Sequence, residues 1–250
     1  MKTVKGTKKR IADMKKLWLE VFCDDADFVD VFFEKFYRPS KCLLRYDGKR
    51  LVSMLFWMDV SAKYNRKRLK GAYLYGVATS PDERHAGHFS HLHEEFINKV
   101  SEKKYDFVAA IPEKESLFSF YKRFGYTSFF RRCEYSVSGI DFDEITPEEA
   151  WERKSAAFAK SRVGFSLLES REMFLETVKG HRFFGFDGGY FAFCKEGGRY
   201  TFYDVCDPDK CAPDYNFVRY ARSAVLYDIN GFFDEEFSER EKPIINYLLN

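Results

Sequence analysis

Residues 41–80 carry three extended apolar runs in succession, KCLLRYD (41–47), LVSMLFWMDVSAKY (51–64) and LKGAYLYGVATS (69–80), joined only by the polar turns DGKR and NRKR. Turns that short can join only antiparallel neighbours, because a parallel return needs a crossover of a dozen or more residues. The stretch therefore reads as three consecutive antiparallel strands. Helical spacing brackets it on both sides. Ile11, Met14, Trp18, Val21 and Phe22 predict a helix over 8–22, and ADFVDVFFEKFY (26–37) a second one stopped by Pro39. After Pro81, Phe89, Leu92, Phe96, Ile97 and Val100 share one face of a helix reaching about residue 103. A strand YDFVAAIP (105–112), a helix KESLFSFYKRFG (114–125) and a strand YTSFFRRCEYSVS (126–138) complete the pattern. The fold class is α/β (α+β), a mixed, mostly antiparallel sheet flanked by helices.

Composition changes near residue 139, where SGIDFDEITPEE supplies turn residues and then a helix start. Thr146 as N-cap, Pro147 at the first helical position and Glu149 three residues after the cap form a capping box. The expected division is 1–138 and 139–250. The second part should hold helices at 147–160 and 170–179, a hairpin GYFAFCKEGGRYTFYDVC (189–206) turned at Gly197 and Gly198, a helical YNFVRYARSAVLYDI (215–229) and a terminal apolar PIINYLL.

Charge excludes little and suggests no special partner. Lys plus Arg (41) nearly balances Asp plus Glu (39), which gives no global reason to expect nucleic acid or an anionic membrane. No stretch reaches the roughly 18 uninterrupted apolar residues of a membrane helix, and the first residues show no signal-peptide core. The expectation is a soluble, cytoplasmic protein. Cys23, Cys42, Cys133, Cys194, Cys206 and Cys211 contain no C-x-x-C pair and read as reduced thiols; Cys206 and Cys211 lack the second pair that a zinc site needs. The 28 Phe and 16 Tyr are core by default, with an acceptor pocket as the other reading.

The stretch ERHAGHFSHLHEE (83–95) holds four of the five histidines. As a metal site it fails for want of ligands. His91 and His93 point about 200° apart on a helix. His88, His91 and Glu95 could share the polar face, but no fourth ligand can be named. As an anion site it fares better. A strand end, an arginine, a glycine and a helix start bring free N–H groups and the helix dipole to one point, and Gly87 lets backbone approach a phosphate.

VATSPDERHAGHFS (77–90) resembles the coenzyme A signature of the Gcn5-related N-acetyltransferases (GNAT), Arg/Gln-x-x-Gly-x-Gly/Ala after the fourth strand. FYKRFGY (120–126) is similar to that family's second motif, a helix bearing Tyr followed by Gly and an aromatic. The resemblance covers residues 1–138 and departs at Phe89, where Gly or Ala is usual. It implies an acetyl-CoA-dependent N-acetyltransferase acting on a primary amine of a small molecule or peptide. Backbone at Val77 and Thr79 would hold the acetyl carbonyl and pantetheine arm. Arg84, His85, Ala86, Gly87, His88, Phe89 and Ser90 would bind the pyrophosphate, and Tyr121 would protonate the departing thiolate. No metal, nucleic acid or membrane is implied, and monomer and homodimer both stay open. His85 and His88 are either groups near a polyphosphate or exposed loop histidines, and NRKRLK (65–70) is either a solvated hairpin turn or a basic run that meets a coenzyme phosphate or an acidic acceptor.

Residues alone do not rank a general base among Glu20, Glu34, Asp59 and Glu115. The second part lacks the glycine loop, so it resembles the degenerate GNAT-like half of two-part acetyltransferases, some of which place a terminal carboxylate, here that of Asn250, in the active site. An aminoacyl transferase on a tandem fold, or a non-catalytic acyl-CoA-binding protein, are the competing readings.

Overall fold

The computed structural model describes residues 1–137, 143–161, 165–186, 188–196, 199–206 and 215–231. The chain divides into two compact units, Met1–Asp59 with Ala72–Ala110, and Val60–Gly71 with Ile111–Asn250. The expected division at residue 139 falls inside the second of these.

The first unit is organised by strand β3 (Arg50–Tyr64), in which every residue from Leu51 to Met58 is buried. Burial on both faces requires helices on both sides of the sheet. Phe56 points to one face, where Trp18, Phe32 and Phe33 surround it at ring separations of 5.8, 5.3 and 5.9 Å. Its neighbour Trp57 points to the other and meets Phe96 at 5.2 Å. The first set comes from α1 (Ile11–Phe22) and from α2 (Ala26–Val31), which runs into a π-helical turn at Phe32–Phe36. Phe96 belongs to α3 (His88–Glu102). With β1 (Lys2–Lys5), β2 (Cys42–Asp47), β4 (Lys67–Thr79) and β5 (Phe107–Ala110), the strand order is β1-β2-β3-β4-β5. The pairs β1–β2 and β2–β3 are antiparallel. β3 and β4 are joined by the two-residue turn Asn65–Arg66, with φ of 47° and 71°, the left-handed pair that matches strand twist in tight hairpins.

The second unit contains α4 (Glu115–Lys122), β6 (Thr127–Val137), β7 (Asp143–Ile145), α5 (Pro147–Lys160), β8 (Phe165–Leu168), α6 (Arg171–Thr177), β9 (Arg182–Phe186), β10 (Gly189–Glu196), β11 (Arg199–Cys206) and β12 (Tyr215–Asp228). A four-stranded sheet of order β11-β10-β9-β7 covers a core of Ala150, Phe174, Val178, Phe183 and Tyr190. The capping box at Thr146 and Glu149 is formed, and Pro147 occupies the first turn. β8 pairs antiparallel with the far end of β3, Ser61–Tyr64.

The expectation of a helix over 215–229 is wrong. Tyr215–Asp228 is the strand β12, paired antiparallel with β6. Its register shifts at Phe217/Arg219, at Arg222/Ala224 and at Ala224/Val225. Each shift interrupts the two-residue alternation, so the sequence loses the period that marks a strand. A long partner strand, absent from any local window, decides the conformation. The turn glycines Gly197 and Gly198, the stretch PIINYLL and the terminal Asn250 lie outside the described residues. No helix among the described residues is long and apolar enough to cross a membrane.

Candidate active site

The end of β4 and the start of α3 are shaped by two glycines. Gly76 lies within β4 at φ +54°, a conformation that L side chains rarely adopt. A Cβ there would stand 2.8 Å from the Phe56 ring and 2.9 Å from Trp18. Only glycine lets β4 turn this tightly against the aromatic layer below it, just before Val77 and Thr79. Sequence reasoning passed over Gly76, although an isolated glycine within a strand run is the usual mark of a close backbone approach.

Beyond β4, Ser80 is fully buried and donates its N–H to the Val52 carbonyl at 2.9 Å. Ser53 Oγ donates to the Ala78 carbonyl and lies 2.8 Å from Thr79 Oγ1. The Ser80 hydroxyl sits 2.8 Å from the Glu20 carboxylate and 2.7 Å from Asp82, with one proton to share between them. Arg50 donates to Ser80 Oγ and, through both terminal nitrogens, to Asp82 at 2.7 Å. That fork and the Ser80 hydroxyl hold the Asp82 carboxyl far below the ordinary carboxylate range.

A second clamp sits at the other end of the loop. His88, only 3% exposed, places Nε2 3.1 Å from Glu83 and accepts at Nδ1 from Arg45 at 3.2 Å. Arg45 in turn donates to Thr3 Oγ1. His88 therefore anchors the loop from beneath. It neither shares the polar face of α3 with His91 nor lies in solvent, so the ligand trio His88, His91 and Glu95 is not assembled. Among the described residues no three His, Cys, Asp or Glu side chains come together as a metal site.

Between the clamps, Arg84, His85, Ala86 and Gly87 are exposed. His85 takes φ +69° and Gly87 +79°, and Gly87 is the N-cap of α3. A left-handed residue followed by the right-handed first turn of a helix makes a concave nest of N–H groups. α2, α5 and α6 start on the side-chain caps Asp25, Thr146 and Ser170; α3 has no side-chain cap and no acidic residue in its first turn. A Cβ built at Gly87 meets nothing within 4 Å, so the space before the nest is open. Phe89 does not fill it. The ring is 8% exposed and stacks at 5.4 Å on His93 along the buried face of α3. Ser90, next in the helix, is exposed. The nest thus suits an anion with several oxygens, such as a pyrophosphate.

Tyr121 belongs to the second unit, on α4. It is 7% exposed and packs edge-on against Phe120 at 5.5 Å and Tyr126 at 5.2 Å. Burial pushes its phenol well above the usual tyrosine value, so the group keeps its proton across the working pH range. Of the carboxylates considered for a base, Glu20 is committed to Ser80. Asp59 is committed to Lys41 and Tyr105, at 2.5 Å each.

The model of the acetyltransferase (GNAT) domain family matches residues 3–129, just over half of the chain. No curated protein matches it. Among solved structures, the GCN5-related N-acetyltransferase from Anabaena variabilis is similar at a TM-score of 0.71 and 12% identity, over 92% of this chain and 73% of that one. The GCN5-related N-acetyltransferase from Kribbella flavida is similar at 0.70 and 14%, over 90% and 70%. At such identities the likeness is one of fold, and it agrees with the mixed, mostly antiparallel sheet flanked by helices. The family model covers more than half of the chain and the fold agrees with it: the chain belongs to the GNAT acetyltransferase family, whose co-substrate is acetyl-CoA.

Proposed function

We propose that the protein transfers the acetyl group of acetyl-CoA to a primary amine of a small molecule or peptide. The observation that carries this reading is the loop Arg84–Gly87, pinned at both ends and opening α3 on an uncapped, left-handed glycine. Backbone donors from Arg84 to Ser90 bind the pyrophosphate, with Phe89 contributing its main chain while its ring stays in the core. Val77 and Thr79, following the Gly76 bend, orient the acetyl carbonyl and the pantetheine arm through their main chain. Bound acetyl-CoA supplies the acyl group as a thioester. Tyr121 donates its proton toward the departing sulfur.

The raised Tyr121 phenol is a weaker acid than a solvated one. It is nevertheless matched to its task where the thiolate is desolvated too, since low polarity raises both values together. The functional division proposed is 1–138 for acetyl transfer, with 139–250 as a degenerate acetyltransferase-like part.

Turnover is tested by incubating the protein with acetyl-CoA and a panel of primary amines, reading free thiol and acetylated product together. Tyr121→Phe is expected to lower kcat about a hundredfold or more, the usual worth of a general acid, with acetyl-CoA affinity unchanged. Equal kcat in the variant would remove Tyr121 from the chemistry. Coenzyme binding without product from any amine would replace transfer by an acyl-CoA-binding role.

A further inference from the structure

His88 opens α3 directly after the left-handed N-cap Gly87, and its ring turns inward. Its two nitrogens meet unlike partners. Arginine can only donate, so the Arg45 Nε–H at 3.2 Å makes Nδ1 an acceptor that carries no proton. The ring proton therefore sits on Nε2 and is donated to Glu83 Oε2 at 3.1 Å. One imidazole, in one tautomer, stands between a guanidinium and a carboxylate.

The contact with Glu83 has a topological consequence. Glu83 and His88 flank Arg84–Gly87, so their hydrogen bond closes that loop into a ring. The loop contains two left-handed residues, His85 at φ +69° and Gly87 at +79°, and such a shape persists only where its surroundings impose it. The contacts run on at both sides. Arg45 sits opposite Thr3 in the β1–β2 register and donates from Nη1 to Thr3 Oγ1 at 3.1 Å. Glu83 Oε1 is 3.9 Å from Arg50 Nη1, and Arg50 is the fork that holds Asp82 and reaches Ser80. His88 is thereby the joint between the edge pair β1–β2 and the clamp at the other end of the loop, all within the first unit.

We propose that the His88 side chain is a positioning residue for the coenzyme site. In its Nε2–H tautomer it staples the two ends of Arg84–Gly87 and hangs the loop from Arg45, so that the N–H groups of the nest are arranged before the coenzyme arrives. A loop ordered in advance loses less freedom on binding, and that saving appears as affinity. This rests on the reading of the loop as the pyrophosphate site for its meaning, though not for its geometry. The ring itself touches no substrate. An imidazole suits the place because it offers an acceptor and a donor on one rigid plane; a proton on Nδ1 would set two N–H donors against each other at Arg45.

The test uses the full chain. Without ligand, a long-range proton–nitrogen NMR spectrum is expected to show the His88 ring with a protonated Nε2 and a bare Nδ1, and one set of amide resonances for Arg84–Gly87. His88→Leu should split or broaden those amides and weaken acetyl-CoA binding, read by calorimetry, about tenfold, the worth of one hydrogen bond to a charged group. His88→Gln, which keeps an acceptor and a donor on one plane, should recover most of that loss. Adding Glu83→Ala to His88→Leu should cost little more, because both changes cut the same staple. Arg45→Met lies outside the loop and should give the same loss of affinity, so it decides the matter if His88→Leu fails to fold. A proton on Nδ1, a folded His88→Leu or Arg45→Met that binds like the wild type, or a His88→Gln as weak as His88→Leu would overturn the proposal. A wild type that binds no acetyl-CoA would remove the coenzyme reading alone, since the ring tautomer and the loop amides are read without ligand.

Discussion

Gly76 shows how one residue sets the shape on which the rest depends. Two independent constraints meet there, a positive φ and a neighbour under 3 Å from any added Cβ. Gly76→Ala should therefore destabilise the protein by about 2–4 kcal/mol, combining the left-handed penalty with overpacking against Trp18 and Phe56. Denaturant unfolding of the purified variant measures this, and a loss under about 0.5 kcal/mol would mean that β4 is not held as described. His85 carries the same left-handed strain without glycine's freedom, in the loop assigned to the coenzyme.

At the scale of the element, α3 combines a polar mouth with a buried underside in which Phe89, Leu92, Phe96 and Val100 surround the polar His93. His93 lies on that underside between Phe89 at 5.4 Å and Phe96 at 6.4 Å, and burial lowers its pKa to about 4. The folded state therefore resists a proton that the unfolded chain accepts near pH 6.5. Stability should be independent of this residue above about pH 7. It should then fall as pH drops from about 6.5 toward 4, with a slope approaching one proton, roughly 1.4 kcal/mol per pH unit. His93→Leu should flatten that part of a stability profile measured by thermal unfolding between pH 7 and 4. An unchanged slope would mean that other groups set the acid limit.

The same helix marks how far sequence reasoning reaches. Its apolar stripe, its start beside Gly87 and its length were legible because periodicity and capping are local. The inward turn of His88 was not, because its partners Arg45 and Glu83 come from β2 and from the loop before the helix. β12 was misread for a related reason: register shifts erased its alternation, and pairing with β6 decided the outcome.

At the scale of the whole molecule, the nest Arg84–Gly87 and the buried Tyr121 belong to different compact units. The chain's near-balanced charge supplies no general attraction for a polyanion, so the function proposed above assigns coenzyme affinity to directed main-chain donors at the start of α3. The decisive measurement is calorimetric titration of the wild type and Gly87→Glu with acetyl-CoA. A carboxylate at that position brings bulk and negative charge to the mouth of the nest, while a Cβ meets no neighbour that would disturb the fold. Saturable micromolar binding by the wild type, lost in a variant whose circular dichroism is unchanged, is the predicted result. Undiminished binding by Gly87→Glu, or none by the wild type, would contradict the assignment of this loop as the coenzyme site.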